Sequence, residues 1–341
     1  MRIMITGGAG FIGCNLAVAC IRAGHRVTLY DNLSRRGSAA NLGWLRATFG
    51  SDAVVFVQGD IREYPAVLKA MQGQEALYHL AAQTAVTTSV ADPRSDFEIN
   101  ALGTFNVLEA ARHAGEDPIF IFASTNKVYG GMEDASVAEH PTRYSFSGYP
   151  EGISETRALD FHSPYGCSKG AADQYVRDYA RMYGLRSVVF RQSCIYGQRQ
   201  MGVEDQGWVA WFVIAAVTGK PITIYGDGRQ VRDLLHVDDL VRAFEMATAQ
   251  IKSTAGQVYN LGGGTENTLS IWAEFGLLLS EILGQPVVPG AYHDRRPGDQ
   301  PVFVTDVAKA GREFGWAPRV GVREGIERLV AWVQANQELF A

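Results

Sequence analysis

The stretch Ile3-Met4-Ile5-Thr6-Gly7-Gly8-Ala9-Gly10-Phe11-Ile12-Gly13 decides the fold. A short apolar run with strand character enters a glycine-rich turn, and an amphipathic pattern follows from residue 11 to residue 23. Glycines at 7, 10 and 13 allow a tight turn, close approach of the backbone to a pyrophosphate, and close packing of helix on strand. The helix start then offers unpaired N–H groups and a positive dipole end to the phosphates. Alone, such a turn is weak evidence. Here a second apolar run, residues 26–30, ends at Asp31, eighteen residues after Gly13. A carboxylate at that point accepts hydrogen bonds from ribose hydroxyls and repels a 2'-phosphate, which predicts NAD over NADP. Arg35 and Arg36 could accommodate such a phosphate, so on the residues alone NADP stays open. Phe11, Ile12, Asn32, Ser34 and Arg35 flank these features and are assigned to the same dinucleotide site.

Outward from this unit, strand-like runs recur at 54–57, 76–80, 119–123 and 187–190. Between them lie helical patterns, among them 96–114 and 164–183. Strand–helix alternation of this kind predicts an α/β fold, a Rossmann-type doubly wound parallel sheet. The strand ends carry small or polar residues where open α/β sheets bind ligands. Asp60-Ile61 ends the third strand, and Leu80-Ala81-Ala82-Gln83 ends the fourth. Both are assigned to the cofactor, as is Asn100, which would hold the backbone of the site. The second half is less regular. Residues 234–249 read as a helix and 258–261 as a strand returning to the first lobe. The chain therefore divides into a dinucleotide-binding domain, 1–190 plus 234–262, and a smaller, discontinuous substrate domain, 191–233 plus 263–341. The long connection 130–163 is expected to cover the substrate, because long connections in compact domains are usually functional.

The 341 residues, 47% apolar and 20% charged, suffice for two lobes with ample core. A net charge of -5 gives no support to nucleic-acid binding. The longest apolar run, 208–217, is too short to cross a membrane. Four cysteines without CxxC or disulfide-framework spacing, and seven histidines without HExxH, predict a cytoplasmic protein with reduced thiols and no metal. Neither nucleic acid nor membrane is expected as a partner.

Tyr165 is the only tyrosine in the chain followed four residues later by a lysine, Lys169. On a helix the two share a face, about one turn apart. A free phenol ionises near pH ~10, and a neighbouring ammonium lowers that value, so the pair reads as a proton acceptor. The fifth strand ends Ser124-Thr125-Asn126-Lys127. Thr125 is placed beside Tyr165 as a hydrogen-bond donor to the reacting oxygen, with Ser124 pointing the other way by strand alternation.

The set Gly7, Gly10, Gly13, Asp31, Thr125, Tyr165 and Lys169 resembles the extended short-chain dehydrogenase/reductase superfamily, of the nucleotide-sugar epimerase kind. The resemblance extends to 191–197, to Arg232-Asp233 with His236-Val237-Asp238-Asp239, and to Arg296-Pro297-Gly298-Asp299. It implies that Arg232 and Arg296 contact a substrate diphosphate, which suits the bidentate geometry of guanidinium and phosphate. Asn126, Arg191, Gln206 and Asp299 are assigned to the same substrate site, with Thr125. It further implies that Ser124, Tyr165 and Lys169 touch the cofactor. Stretches 124–130, 139–144, 159–175, 205–212 and 229–236 resemble more narrowly the 2-epimerases of CDP-linked 3,6-dideoxyhexoses. That implies tightly held NAD, a CDP-sugar substrate, a homo-oligomer (tetramer or dimer) and a place in O-antigen and lipopolysaccharide biosynthesis. A 4-epimerase of the UDP-glucose type would use the same machinery on another carbon. A 4,6-dehydratase resembles the chain less, since related dehydratases carry Asp-Glu after the hydroxyl residue and this chain has Asn126-Lys127. A dinucleotide-binding scaffold without catalysis would be expected to lack the Tyr/Lys pair.

Overall fold

The computed structural model describes residues 1–296 and 298–340. Its centre is a seven-stranded, wholly parallel sheet. The strands are β1 (Arg2–Thr6), β2 (Arg26–Asp31), β3 (Val54–Gln58), β4 (Ala76–His79), β5 (Ile119–Thr125), β6 (Arg186–Gln192) and β7 (Val258–Leu261). They lie side by side in the order β7-β6-β5-β4-β1-β2-β3. The direction of winding reverses between β1 and β4, the point at which such sheets open a crevice beyond the strand ends.

Both faces of the sheet are covered, so its strands are apolar on both sides. Side chains alternate. Ile3, Ile5, Ile119 and Ile121 join one core with Leu16, Leu240 and Phe244. Met4, Phe120 and Phe122 join the opposite core with Val67, Leu108 and Val176. The fold class is therefore the one expected. A third core, with Phe212, Leu234, Trp272, Phe275 and Leu329, lies in the less regular part of the chain. No helix among the described residues is long and apolar enough to cross a membrane.

Three local expectations change. The run 96–114 is not one helix: Pro93–Phe97 passes through a π-helical turn, Glu98–Leu102, into Gly103–His113. Such wide turns are frequent at functional sites, and this one carries the buried side chain of Asn100. Residues 234–236 are strand rather than helix. Val231–His236 is buried throughout and pairs with Cys194–Tyr196, Thr268–Ser270 and Val302–Phe303, which satisfies its backbone groups before Val237–Ala249 begins. The helix starts at His236, whose ring accepts from the Asp238 amide, and has Asp238 and Asp239 in its first turn, where acids suit the dipole. Finally, the connection 130–163 does not cover a cleft. It forms the hairpin Val137–Glu139 and Tyr144–Phe146 and is strapped to the irregular lobe. The Tyr144 amide donates to the Arg229 carbonyl, Arg143 pairs with Glu274 at 2.5 Å, and the Ile153 amide donates to the Val304 carbonyl at 2.7 Å.

One buried ion pair fixes the helix Ser163–Tyr183 against the sheet. Asp173, with no exposed surface, accepts from Arg191 Nε and Nη2, each at 2.9 Å, and from Ser124 Oγ at 2.8 Å. Arg191 Nη1 donates to Tyr129 Oη, which donates to Asn260 Oδ1. Removing one member strands the other's charge without water. Arg191→Met is therefore expected to destabilise the fold by about 3–5 kcal/mol. Urea unfolding checks this, and a loss below ~1 kcal/mol would show that the pair is not what holds the helix.

Candidate active site

Beyond the carboxyl ends of β1, β2 and β4 lies a cavity of about 320 Å³. Its floor is the glycine turn. Gly7 has φ +67°, and a Cβ there would stand 2.8 Å from the Ala81 amide nitrogen. A Cβ on Gly13 would stand 2.3 Å from the Gly7 carbonyl oxygen. Only hydrogen fits at either position, so turn, helix and the end of β4 press together. Gly10 precedes the helix Phe11–Arg22 and offers no side-chain cap, which leaves the helix's first N–H groups to a ligand.

Asp31 lies on the wall of this cavity. Its Oδ2 accepts from the Ala9 amide at 3.1 Å and its Oδ1 from the Leu33 amide at 2.7 Å, so the carboxylate is fixed in place. Burial pushes its pKa up and the two amides oppose that. Asn32, Ser34 and Arg35 line the cavity beside it. Asp60 and Ile61 line the far end. Arg62, bonded to Asp60 at 2.8 and 3.0 Å, holds that carboxyl well below its usual range. Leu80, Ala81, Ala82 and Gln83 form the side under β4, and Phe11 and Ile12 the opposite lip.

A second cavity, of about 380 Å³, adjoins the first. Phe11, Ile12, Thr84, Gln200 and Gln206 line both, so the two form one cleft. Arg35 of the first donates to Gln206 Oε1 across the junction. Ser124, Thr125, Asn126 and Tyr165 lie on one wall of the second, with Gln206, Arg232, Arg296 and Asp299 among the residues completing it. Arg232 pairs with Asp299 at 2.5 Å, and Arg296 with Asp205 at 2.8 Å. Pro297, within the Arg296–Asp299 segment, lies outside the described residues.

Three expected site residues stand apart from the cleft surface. Lys169 is buried, donates from Nζ to the Ala123 carbonyl at 2.6 Å, and sits over the Phe122 ring. Asn100 lines neither cavity; it accepts from the Gln83 amide and donates to Gln83, Asp96 and Ser168, holding the backbone as expected. Arg191 is the correction. Its guanidinium is spent on Asp173 and Tyr129 beneath the surface, so it offers nothing to a substrate.

The electrostatics of the Tyr/Lys pair also differ from the simple expectation. Burial pushes the Tyr165 phenol up to about 12; the hydrogen bond with Thr125 and the Arg35 charge oppose this, and Asp96 adds to it. Burial pulls Lys169 down to about 7, against the charges of Asp173 and Asp96. Burial thus opposes ionisation of the phenol, and Thr125 is the first group that eases it. Asp96 itself was not legible as a site residue. It accepts from Ser168, Gln83 and Asn100, and only its spacing four residues before Asn100 on a helical pattern hints at the link.

The cleft walls carry buried polar atoms with no partner inside the protein: Asn41 Oδ1, Thr84 Oγ1 and Gln200 Oε1. Such orphans are costly unless a ligand or water meets them. Together with the glycine floor and the fixed Asp31, they fit a dinucleotide.

Comparison with known proteins agrees. Residues 3–262 match the model of the NAD dependent epimerase/dehydratase family. A CDP-paratose 2-epimerase of Salmonella typhi is 42% identical, over 98% of this chain and 100% of that one. Among solved structures, the UDP-glucose 4-epimerase of Thermotoga maritima with UDP-glucose superposes with a TM-score of 0.83 at 33% identity, covering 99% of this chain and 100% of the other. The dTDP-glucose 4,6-dehydratase DesIV of Streptomyces venezuelae, a double mutant with NAD bound, gives a TM-score of 0.84 at 31% identity over 99% and 98% of the two chains. The chain belongs to the NAD-dependent epimerase/dehydratase family, and its cofactor is NAD.

Proposed function

We propose that the protein is a CDP-sugar 2-epimerase that interconverts CDP-paratose and CDP-tyvelose, by transient oxidation at C2 to a 2-keto sugar and reduction on the other face. One observation carries the reading of the chemistry: Thr125 and Tyr165 share a wall of the cleft that opens directly into the dinucleotide cradle. The choice of sugar is supported by the full-length similarity to the Salmonella enzyme.

Gly7, Gly10 and Gly13 would hold the cofactor's pyrophosphate, and Asp31 its adenosine ribose. Bound NAD supplies the hydride acceptor and donor at C2. The chain supplies the rest. As the phenolate, Tyr165 takes the proton of the C2 hydroxyl and gives it back after the sugar has turned, so one group serves as base and then as acid. Thr125 Oγ1 donates to the reacting oxygen as it becomes a carbonyl. Lys169, anchored on the Ala123 carbonyl, supplies positive charge below the phenol. Arg232 and Arg296 hold the diphosphate while the sugar reorients, with Asp299 and Asp205 fixing their guanidinium groups. Asn126 and Lys127 follow Thr125, so the carboxylate pair that elimination needs is not there.

The protein is also proposed to work as a cytoplasmic homo-oligomer. Its described cysteines are all free thiols. Phe97, Leu102, Phe105, Tyr175, Met182 and Tyr183 are exposed on the segment 93–113 and on the helix Ser163–Tyr183, where Phe105 and Tyr175 touch edge to face. Apolar side chains exposed on adjoining helices mark an interface. Phe105→Glu with Tyr175→Glu is expected to halve the sedimenting mass; a monomeric parent protein would remove the proposal.

CDP-paratose incubated with the holoenzyme is expected to yield CDP-tyvelose by NMR, and a label of deuterium at C2 should stay in the product. Washout into water would mean proton abstraction in place of hydride transfer, and inversion at C4 alone would reassign the enzyme as a 4-epimerase. Tyr165→Phe is expected to lower kcat by about a hundredfold or more, while denaturation still releases NAD. Release of NADP instead would overturn the role of Asp31.

A further inference from the structure

Lys127 has no role in the reaction described so far, yet it lines the substrate cavity beside Thr125. Its backbone amide donates to Thr125 Oγ1 at 3.3 Å, so the catalytic hydroxyl and this lysine belong to one tight turn, Asn126–Tyr129. The side-chain Nζ donates to Gln300 Oε1 at 3.1 Å, and Gln300 in turn donates to the Gly130 carbonyl. Gln300, fully buried, fixes where the ammonium points.

The cations of this cavity differ in how they are matched. Arg232 is paired with Asp299 and Arg296 with Asp205. Among the described residues no carboxylate lies within ion-pair distance of Lys127, whose hydrogen-bond partner is a neutral amide. A cation withdrawn from water without a counter-charge is costly. Burial accordingly pulls its pKa down to about 8, with the nearby Arg232 charge acting the same way and Asp299 opposing. It is still cationic at neutral pH. Two of its three donors are free for an anion.

The chemistry of a nucleotide sugar says which anion. The β-phosphate hangs on the anomeric carbon. C2 is bonded to that carbon, whereas C4 lies across the ring from it. An enzyme that brings C2 to Thr125 and Tyr165 must therefore seat the β-phosphate next to those groups, and one that acts at C4 must seat it away from them. Arg232 and Arg296 come from the irregular lobe, Arg232 near enough for its charge to act on Lys127. Lys127, two residues from Thr125, comes from the reacting wall itself.

We infer that the Lys127 ammonium binds the substrate β-phosphate at the reacting end of the cleft and thereby sets C2, the carbon next to the anomeric one, against Thr125 and Tyr165. This deepens the 2-epimerase reading and rests on it for the sugar. The phosphate contact itself can be read from binding alone.

Calorimetric titration of CDP and of CMP into the NAD-loaded protein tests it, because CMP lacks the β-phosphate. Lys127→Met is expected to weaken CDP by about tenfold or more, the scale of one charge-assisted hydrogen bond, and to leave CMP unchanged. Lys127→Arg, which keeps the charge and controls for folding, is expected to retain most of the preference for CDP. An unchanged CDP-to-CMP ratio in Lys127→Met, or an equal loss for both nucleotides, would overturn the inference. Failure of the 2-epimerase reading looks different: the parent protein would bind CDP with this preference and leave CDP-paratose unconverted.

Discussion

The geometry of the site depends on a carboxylate that never meets water. Asp173 sits on the helix Ser163–Tyr183, two turns beyond Tyr165, and takes hydrogen bonds from Ser124 on β5 and Arg191 on β6. Ser124, Arg191 and Asn260 are register partners across β5, β6 and β7. The bonds from Asp173 through Arg191 and Tyr129 to Asn260 therefore run straight across three strands. Asn260 donates onward to the Ile153 carbonyl, so the long connection is tied in as well. Desolvating an aspartate and an arginine is expensive, and the pair gains little over an apolar contact in stability. What it adds is direction: the helix can dock in one rotation only, and that rotation puts the Tyr165 side chain in the cleft and Lys169 under it. The arginine that motif reading assigned to the substrate is better understood as the part that holds the tyrosine in place.

Much of this was legible before any coordinates. Gly7, Gly10, Gly13 and Asp31 could be read because each answers a local steric or electrostatic demand that the sequence spacing itself displays. The parallel sheet followed from alternation of strand and helix patterns. The misreadings share a cause, which is that they turn on partners distant in sequence. Residues 234–236 have a helix-compatible pattern and become strand because Cys194–Tyr196 pairs with them, continuing a strand whose start is held by Thr268–Ser270 and Val302–Phe303. Arg191 was assigned to the substrate with the resembling stretch 191–197; nothing near it in the chain announces Asp173. Asp96 was missed for the same reason, its contact with Ser168 spanning 72 positions. The connection 130–163 was long enough to be a lid, yet the hydrogen bonds from Tyr144 and Ile153 to the irregular lobe make it a strap.

The cleft is divided electrostatically along its length. Around Tyr165 and Lys169 burial opposes charge: the phenol is raised to about 12 and the ammonium lowered to about 7. Around Arg232 and Arg296, proposed to anchor the diphosphate, charge is kept, and each arginine has a carboxylate to fix its orientation. On the proposed reading, a weakly charged reacting end suits an enzyme that must release a keto sugar from strong contacts long enough for it to turn. A charged anchoring end keeps that sugar from leaving. Lys127 is cationic, with no carboxylate within ion-pair distance among the described residues. A relative that reacts at a carbon remote from the anomeric centre has no use for a cation there, and one that eliminates water needs acids there instead. On the reading proposed here, the side chain two residues after Thr125 is thus the place where a shared redox scaffold can be told which bond of the sugar to address.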